Sequence, residues 1–217
     1  MLNTKNIFWE AFIITVAVFL IGIFLGIAYE SRNVNKINNY YSLSEISLID
    51  SLAINEVFKN QNDCNVLISG YISFADKIYN EAILLEKYEE SSKITDDIKI
   101  AHKRYDLLRT ILWSNLMNIP KDCRKNFSTV VYLYEYETKD INKKAKQNVW
   151  SKVLFELKQD KGDKIILIPI AADSNHSSLN ILLERFDIKE FPVVIINEKH
   201  KIYDLKSPKE IESYLYS

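Results

Sequence analysis

The chain predicts a mixed α/β protein carried on one N-terminal transmembrane helix, with an α-helical hairpin between anchor and sheet. Three observations lead there. Residues Ile7 to Tyr29 form an almost unbroken apolar run. Between Asn62 and Pro120, apolar and aromatic residues recur at steps of three, four and seven, the spacing of helices packed along one face. Beyond Ser128, β-rich runs and amphipathic helical stretches follow the order β-α-β-α-β-β-α, which suggests a mixed sheet with helices on both faces.

The apolar run covers about 23 residues, or roughly 35 Å of helix, enough to cross a hydrocarbon core of about 30 Å with some tilt. Trp9 and Tyr29 fall near the two membrane–water interfaces, and Glu10 lies within reach of the headgroups. The run is longer than a signal-peptide h-region of about 7–15 residues, and Lys5 is the only basic side chain before it. Polar flanks on both sides and a continuous apolar circumference also argue against a buried core helix. Gly22 and Gly26 form G-x-x-x-G, a spacing that lets two spans approach closely and leaves a homodimer through the transmembrane helix open.

Composition narrows the function. The 217 residues include 28 basic and 29 acidic side chains, net charge −1, so no nucleic-acid footprint is expected. Only four Gly and four Pro exclude a linker-dominated chain. About 180 residues outside the anchor suffice for one ordinary domain with a helical appendage.

After a polar connector (Ser31 to Asn39), Leu43, Ile46, Ile49, Ile54, Val57 and Phe58 predict a short amphipathic helix. Asn62-Asp63 caps a second helix, with Leu67, Tyr71, Phe74, Ile78, Leu85 and Tyr88 on one face. Ser91-Ser92-Lys93 interrupts it. Thr95-Asp96-Asp97 then caps a third, whose stripe is Ile98, Ala101, Tyr105, Leu108, Leu112, Leu116 and Ile119, ended by Pro120. His102 reads as a solvated residue on the polar side.

Thr129 to Tyr136 is a β-rich run. Asp140 to Gln159 is helical, with Ala145, Val149, Val153, Leu154 and Leu157 on its apolar face. Lys164 to Ala172 reads as a strand buried on both sides, in which Pro169 suits a strand end or a bulge. His176 to Phe186 is a further helix. Pro192 to Asn197 and His200 to Leu205 form a hairpin turning over Asn197 to Lys199. Ser207-Pro208 opens the last helix with a cap and an N1 proline.

Cys64 opens the second helix and Cys123 follows the third, each roughly 30 residues from the hairpin turn near Lys93, so the two lie side by side in an antiparallel hairpin. A disulfide there implies an oxidising compartment. The lysines and arginines flanking the span are nearly balanced, so this bridge is the main reason to place the body outside the cytoplasm. Two unpaired buried thiols are the alternative.

The element order, with Phe191-Pro192-Val193-Val194 opening the third strand, resembles the thioredoxin-like fold over about Asn126 to Tyr216. The resemblance implies a cis Phe191–Pro192 bond bordering a groove lined by Phe191, Pro192 and Val193. The whole layout is similar to a group of small archaeal membrane-anchored thioredoxin-like proteins, with an anchor, a Cys-flanked helical hairpin and then the thioredoxin-like domain. Its segments here are a flank (1–6), the anchor (7–29), a connector (30–42), the helical region (43–125) and the thioredoxin-like domain (126–217). Members often carry C-x-x-C after the first strand and then a Gln-Gly pair. Gln147-Asn148 matches the latter, which puts the missing cysteines near Ile141 and Lys144. From Tyr136 to Trp150 the chain has neither cysteine nor serine. Exchange of the thioredoxin type needs an attacking thiolate at that helix start and a second, resolving thiol.

No other constellation carries chemistry. His102, His176 and His200 are scattered and show no metal-ligand spacing, and no glycine-rich phosphate loop or G-x-S-x-G is present. Asp173 reads as a turn or cap residue. The expectation is a single-pass membrane protein without catalytic residues, metal or cofactor: a redox-inactive thioredoxin-like module for non-covalent binding or assembly with an unidentified protein partner. The alternative is a thiol–disulfide oxidoreductase using Cys64 and Cys123.

Overall fold

The computed structural model describes residues 9–29, 31, 46, 49, 63–91 and 96–215. The short helix expected over Leu43 to Phe58 lies outside the described residues except at Ile46 and Ile49, as does the hairpin turn near Lys93. The chain divides into two units, Met1–Tyr40 and Tyr41–Ser217.

In the first unit, α1 (Trp9–Tyr29) has 21 residues and is long and apolar enough to span a membrane. Its Phe12, Phe19 and Phe24 side chains are exposed. The Thr15 hydroxyl donates to the Ala11 carbonyl (2.9 Å), so the helix satisfies its own polar side chain.

In the second unit, α2 (Cys64–Ser91) and α3 (Asp96–Met117) precede the sheet. The Asp63 carboxylate accepts from the Asn65 N–H at 3.1 Å, an N-terminal cap that fixes where α2 starts. Ile68, Tyr71, Phe74 and Ile78 are buried along α2, and Tyr105, Leu108, Leu112 and Leu116 along α3. These stripes follow the three-and-four spacing of the sequence.

Strand β1 (Ser128–Tyr134) follows, then α4 (Ile141–Lys161), β2 (Ile165–Ala171), α5 (Ser177–Arg185), β3 (Val193–Ile196), β4 (His200–Ile202) and α6 (Pro208–Leu215). The sheet is mixed, in the order β2-β1-β3-β4. β1 runs parallel to β2 and antiparallel to β3, and β3 is antiparallel to β4. A core of Val130, Tyr132, Trp150, Leu154, Leu157, Val194, Ile196, Ile211 and Leu215 joins the sheet to α4 and α6. The alternate strand residues Val131, Leu133, Val193 and Ile195 are buried as well, so both faces are covered. α3 lies against β2 and α5, and the Trp113 ring stacks on Phe186 at 5.2 Å.

The structure corrects the sequence reading of α4 and of the sheet at three places. The buried face of α4 is Gln147, Trp150, Leu154 and Leu157, whereas Ala145 and Val149 are exposed. Rotating Trp150 inward removes far more apolar area from water than Ala145 and Val149 offer. Pro169 sits in the middle of β2, opposite Tyr132. The order of strands makes β2 an edge, where a missing N–H on the open side breaks no ladder bond. The strand expected to reach Leu205 ends at Ile202.

Candidate functional site

Strand register brings three chain segments to one end of the sheet. Tyr134 pairs with Ala171, so β1 and β2 finish together. Leu133 pairs with Val193, so β3 begins there. The Phe191–Pro192 peptide bond, immediately before β3, is cis. In open α/β sheets this end, beyond the carboxyl termini of parallel strands, is where ligands bind.

The loop from β1 to α4 is held by side chains from several elements. Gln147 of α4 accepts from the Glu135 N–H (3.0 Å) and donates to the Glu135 carbonyl (2.9 Å), reproducing a strand's pairing. Asp173, just past β2, accepts from the backbone N–H groups of Tyr136 and Glu137, both at 2.8 Å. Lys143 pairs with Glu135 at 2.8 Å and Lys99 with Glu137 at 2.8 Å. The hydrogen bond and charge of Lys99 hold the Glu137 carboxyl below its usual range, with Lys103 and Lys139 pulling the same way. Asp140 caps α4 by accepting from Asn142 N–H (2.9 Å) and Lys143 N–H (3.2 Å). The helix then starts with Ile141, which is 82% exposed.

Behind this loop lies a polar cluster that the sequence reading missed. His102 is 8% exposed and Asp106 fully buried. His102 Nδ1 and Asp106 Oδ2 are 2.9 Å apart, and the His102 ring stacks on Tyr136 at 3.9 Å. His102 Nε2 lies 3.4 Å from the Tyr134 hydroxyl. The other Asp106 oxygen accepts from the Ala171 N–H and faces Arg109 Nη1 at 3.8 Å. Arg109 in turn lies over the Tyr105 ring and donates to its hydroxyl. His102 is thus buried rather than solvated, because Tyr136 covers it and Asp106 meets its Nδ1. The i,i+4 spacing of His102 and Asp106 was the available signal; the partners from β1 and β2 were not.

The two cysteines lie elsewhere. Cys64 and Cys123 form a disulfide with their Cα atoms 5.1 Å apart. The next residue, Arg124, pairs with Glu198 at 2.9 Å, in the turn after β3. Pro192 precedes β3 and Glu198 follows it, so the bridge and the proline occupy opposite ends of the strand, roughly 15 Å apart along it. Gly22 and Gly26 have open space around their Cα atoms. Among the described residues, no group of three or more His, Cys, Asp or Glu is placed to hold a metal ion.

No protein-family model matches the chain, and no curated protein matches it. The site therefore has to be read from its own chemistry. At the start of α4 stand Ile141, Asn142, Lys143 and Lys144, none of them a thiol, and the chain's two sulfhydryls are spent on each other. The His102–Asp106 pair is closed off from solvent by Tyr136. What the loop presents outward is the apolar Ile141 side chain among charged ones of both signs, Glu137, Lys139 and Asp140.

Proposed function

We propose that this chain is a membrane-anchored, redox-inactive thioredoxin-like protein, whose body lies outside the cytoplasm and serves as a non-covalent binding or assembly module. The observation that carries the reading is the thiol-free start of α4, which follows β1 at the end of the sheet where β2 finishes and β3 begins. Support also comes from the sheet order and the alternation of strands and helices, which suit a thioredoxin-like domain. The disulfide suits an oxidising compartment. Its place at the far end of β3 from Pro192 speaks against the cysteines replacing a missing C-x-x-C.

The contact surface in this reading comprises the half-buried Phe191 and the exposed Ile141; Pro192 and Val193, expected to line the groove, are buried and present no side chain to a partner. Two measurements test it. Disulfide-reductase assays on the full chain and on Cys64→Ser should both stay at the background rate. Turnover in the parent that vanishes in the variant would replace the binding module with an oxidoreductase. A photo-crosslinker at Ile141 in native membranes should capture a discrete protein adduct that the same probe at Lys201 does not. Identical adduct patterns from both positions would remove the site from this end of the sheet.

A further inference from the structure

We infer that Asn175 is a site of N-linked glycosylation, and that the chain's other acceptor sequence, at Asn126, is closed by the fold. The inference rests on the extracytoplasmic placement of the body proposed above. Asn175-His176-Ser177 and Asn126-Phe127-Ser128 both have the form Asn-x-Ser with x other than proline, the sequence that an oligosaccharyltransferase accepts on surface loops of secreted proteins. Sequence alone ranks the two equally. The structure separates them.

Asn175 stands in the turn between β2 and α5, in the left-handed conformation (φ 62°, ψ 34°) that projects a residue from a tight turn. It is exposed, and so is Ser177, the first residue of α5. Neither side chain makes a hydrogen bond or ion pair among the described residues, so the acceptor amide and the hydroxyl that recognition requires are both presented to solvent. Between them, His176 is turned aside, with Nε2 2.7 Å from the Lys103 carbonyl. A glycan on Asn175 would replace no side-chain hydrogen bond of that residue.

The second sequence differs at its hydroxyl. Ser128 is the first residue of β1 and is buried, only 1% exposed. Its Oγ donates to the Leu215 carbonyl and lies 3.3 Å from Asn197 Nδ2, which donates to it. Reading that hydroxyl would require β1 to leave the sheet and α6 to lift from it.

The reaction is a group transfer from a lipid-linked oligosaccharide. A bond forms between Asn175 Nδ2 and the anomeric carbon of the sugar, while the anomeric carbon–oxygen bond to the lipid phosphate breaks. The lipid phosphate departs with that electron pair, and one amide proton passes to base. No oxidant or reductant enters.

The test uses the full chain purified from the membranes of its own cells, digested and weighed peptide by peptide. The peptide holding Asn175 should carry a mass increment made of sugar residues, lost in both Asn175→Gln and Ser177→Ala. The peptide holding Asn126 should appear at its unmodified mass. In parallel, protease accessibility of a C-terminal tag in intact cells reports the side of the membrane. An accessible tag with unmodified Asn175 overturns this inference while leaving the placement intact. A protected tag overturns both. A glycan at Asn126 rather than Asn175 overturns folded accessibility as the selecting principle, and with it the assignment.

Discussion

Asp106 Oδ1 accepts the Ala171 N–H at 3.1 Å, so a carboxylate on the second hairpin helix caps the end of the sheet's edge strand. The same carboxylate meets His102 and Arg109, and all three side chains are buried. Hairpin and sheet are thereby joined by a buried polar contact, where an unpaired group is costly. Asp106→Ala leaves the Arg109 charge and the Ala171 N–H without that partner. The expected loss is about 3–5 kcal/mol of stability, read as a lowered urea midpoint of the full chain in detergent. Lys189→Ala breaks an exposed pair with Asp187 and should leave the midpoint where it was. Equal midpoints for both variants would show that the cluster does not fasten the hairpin.

Gln147 serves Glu135 as a neighbouring strand would, with one bond to its N–H and one to its carbonyl. Gln147→Ala should cost about 1–3 kcal/mol, because both backbone groups lose their partners. Amide hydrogen exchange should also rise at Glu135, ahead of any change in the strand residues before it. Unaltered exchange at Glu135 would mean that the loop is held without Gln147.

The Cys64–Cys123 bridge closes a sequence separation of 59 residues. Loop-closure entropy for such a span stabilises the folded state by roughly 4 kcal/mol at most. Reduction should therefore lower the unfolding midpoint without unfolding the body, since Cys64 opens α2 and Cys123 lies in the 3-10 turn after α3, both outside the core around Trp150. Alkylation before reduction should add no mass to the chain, and alkylation after reduction should add two labels. Labels taken up without reductant would exclude the bridge.

Ser207 and Glu210 form a reciprocal cap on α6. The Glu210 carboxylate accepts from the Ser207 N–H (2.8 Å) and hydroxyl (2.7 Å). The backbone bond, then the hydroxyl bond, hold the Glu210 carboxyl below its usual 4.5. A depressed carboxylate stabilises the fold above its unfolded-state pKa, and that contribution is lost as pH falls through the folded value. Glu210→Gln should therefore narrow its stability gap to the parent as pH drops below about 4.5. A gap that stays constant through that window would show that the carboxylate's charge does not contribute.

Local physics made much of this molecule legible beforehand. The caps at Asp63 and Ser207 fall where side-chain chemistry demands, because a cap answers to backbone groups two or three residues away. The hairpin stripes at Tyr71, Phe74, Tyr105 and Leu112 repeat a period that any helix must bury on one side. Where apolar residues surround a helix less decisively, as in α4, periodicity alone selected Ala145 and Val149, and the sheet selected Trp150 and Gln147. His102 illustrates the same limit: its partner on α3 is one turn away, but the ring that covers it, Tyr136, comes from the loop after β1.

From residue order alone come the membrane-length apolar helix, the sequence of strands and helices, the paired ends of the hairpin and the missing thiols. Those depend on length, period and side-chain type, which are properties of short stretches. Only the folded chain decides that the disulfide and Pro192 occupy opposite ends of β3, that Pro169 can sit inside a strand, and that Asp106 reaches Ala171, 65 positions away. Each of these is a relation between segments brought together by burying a shared core, and no local pattern carries the coordinates of the far partner.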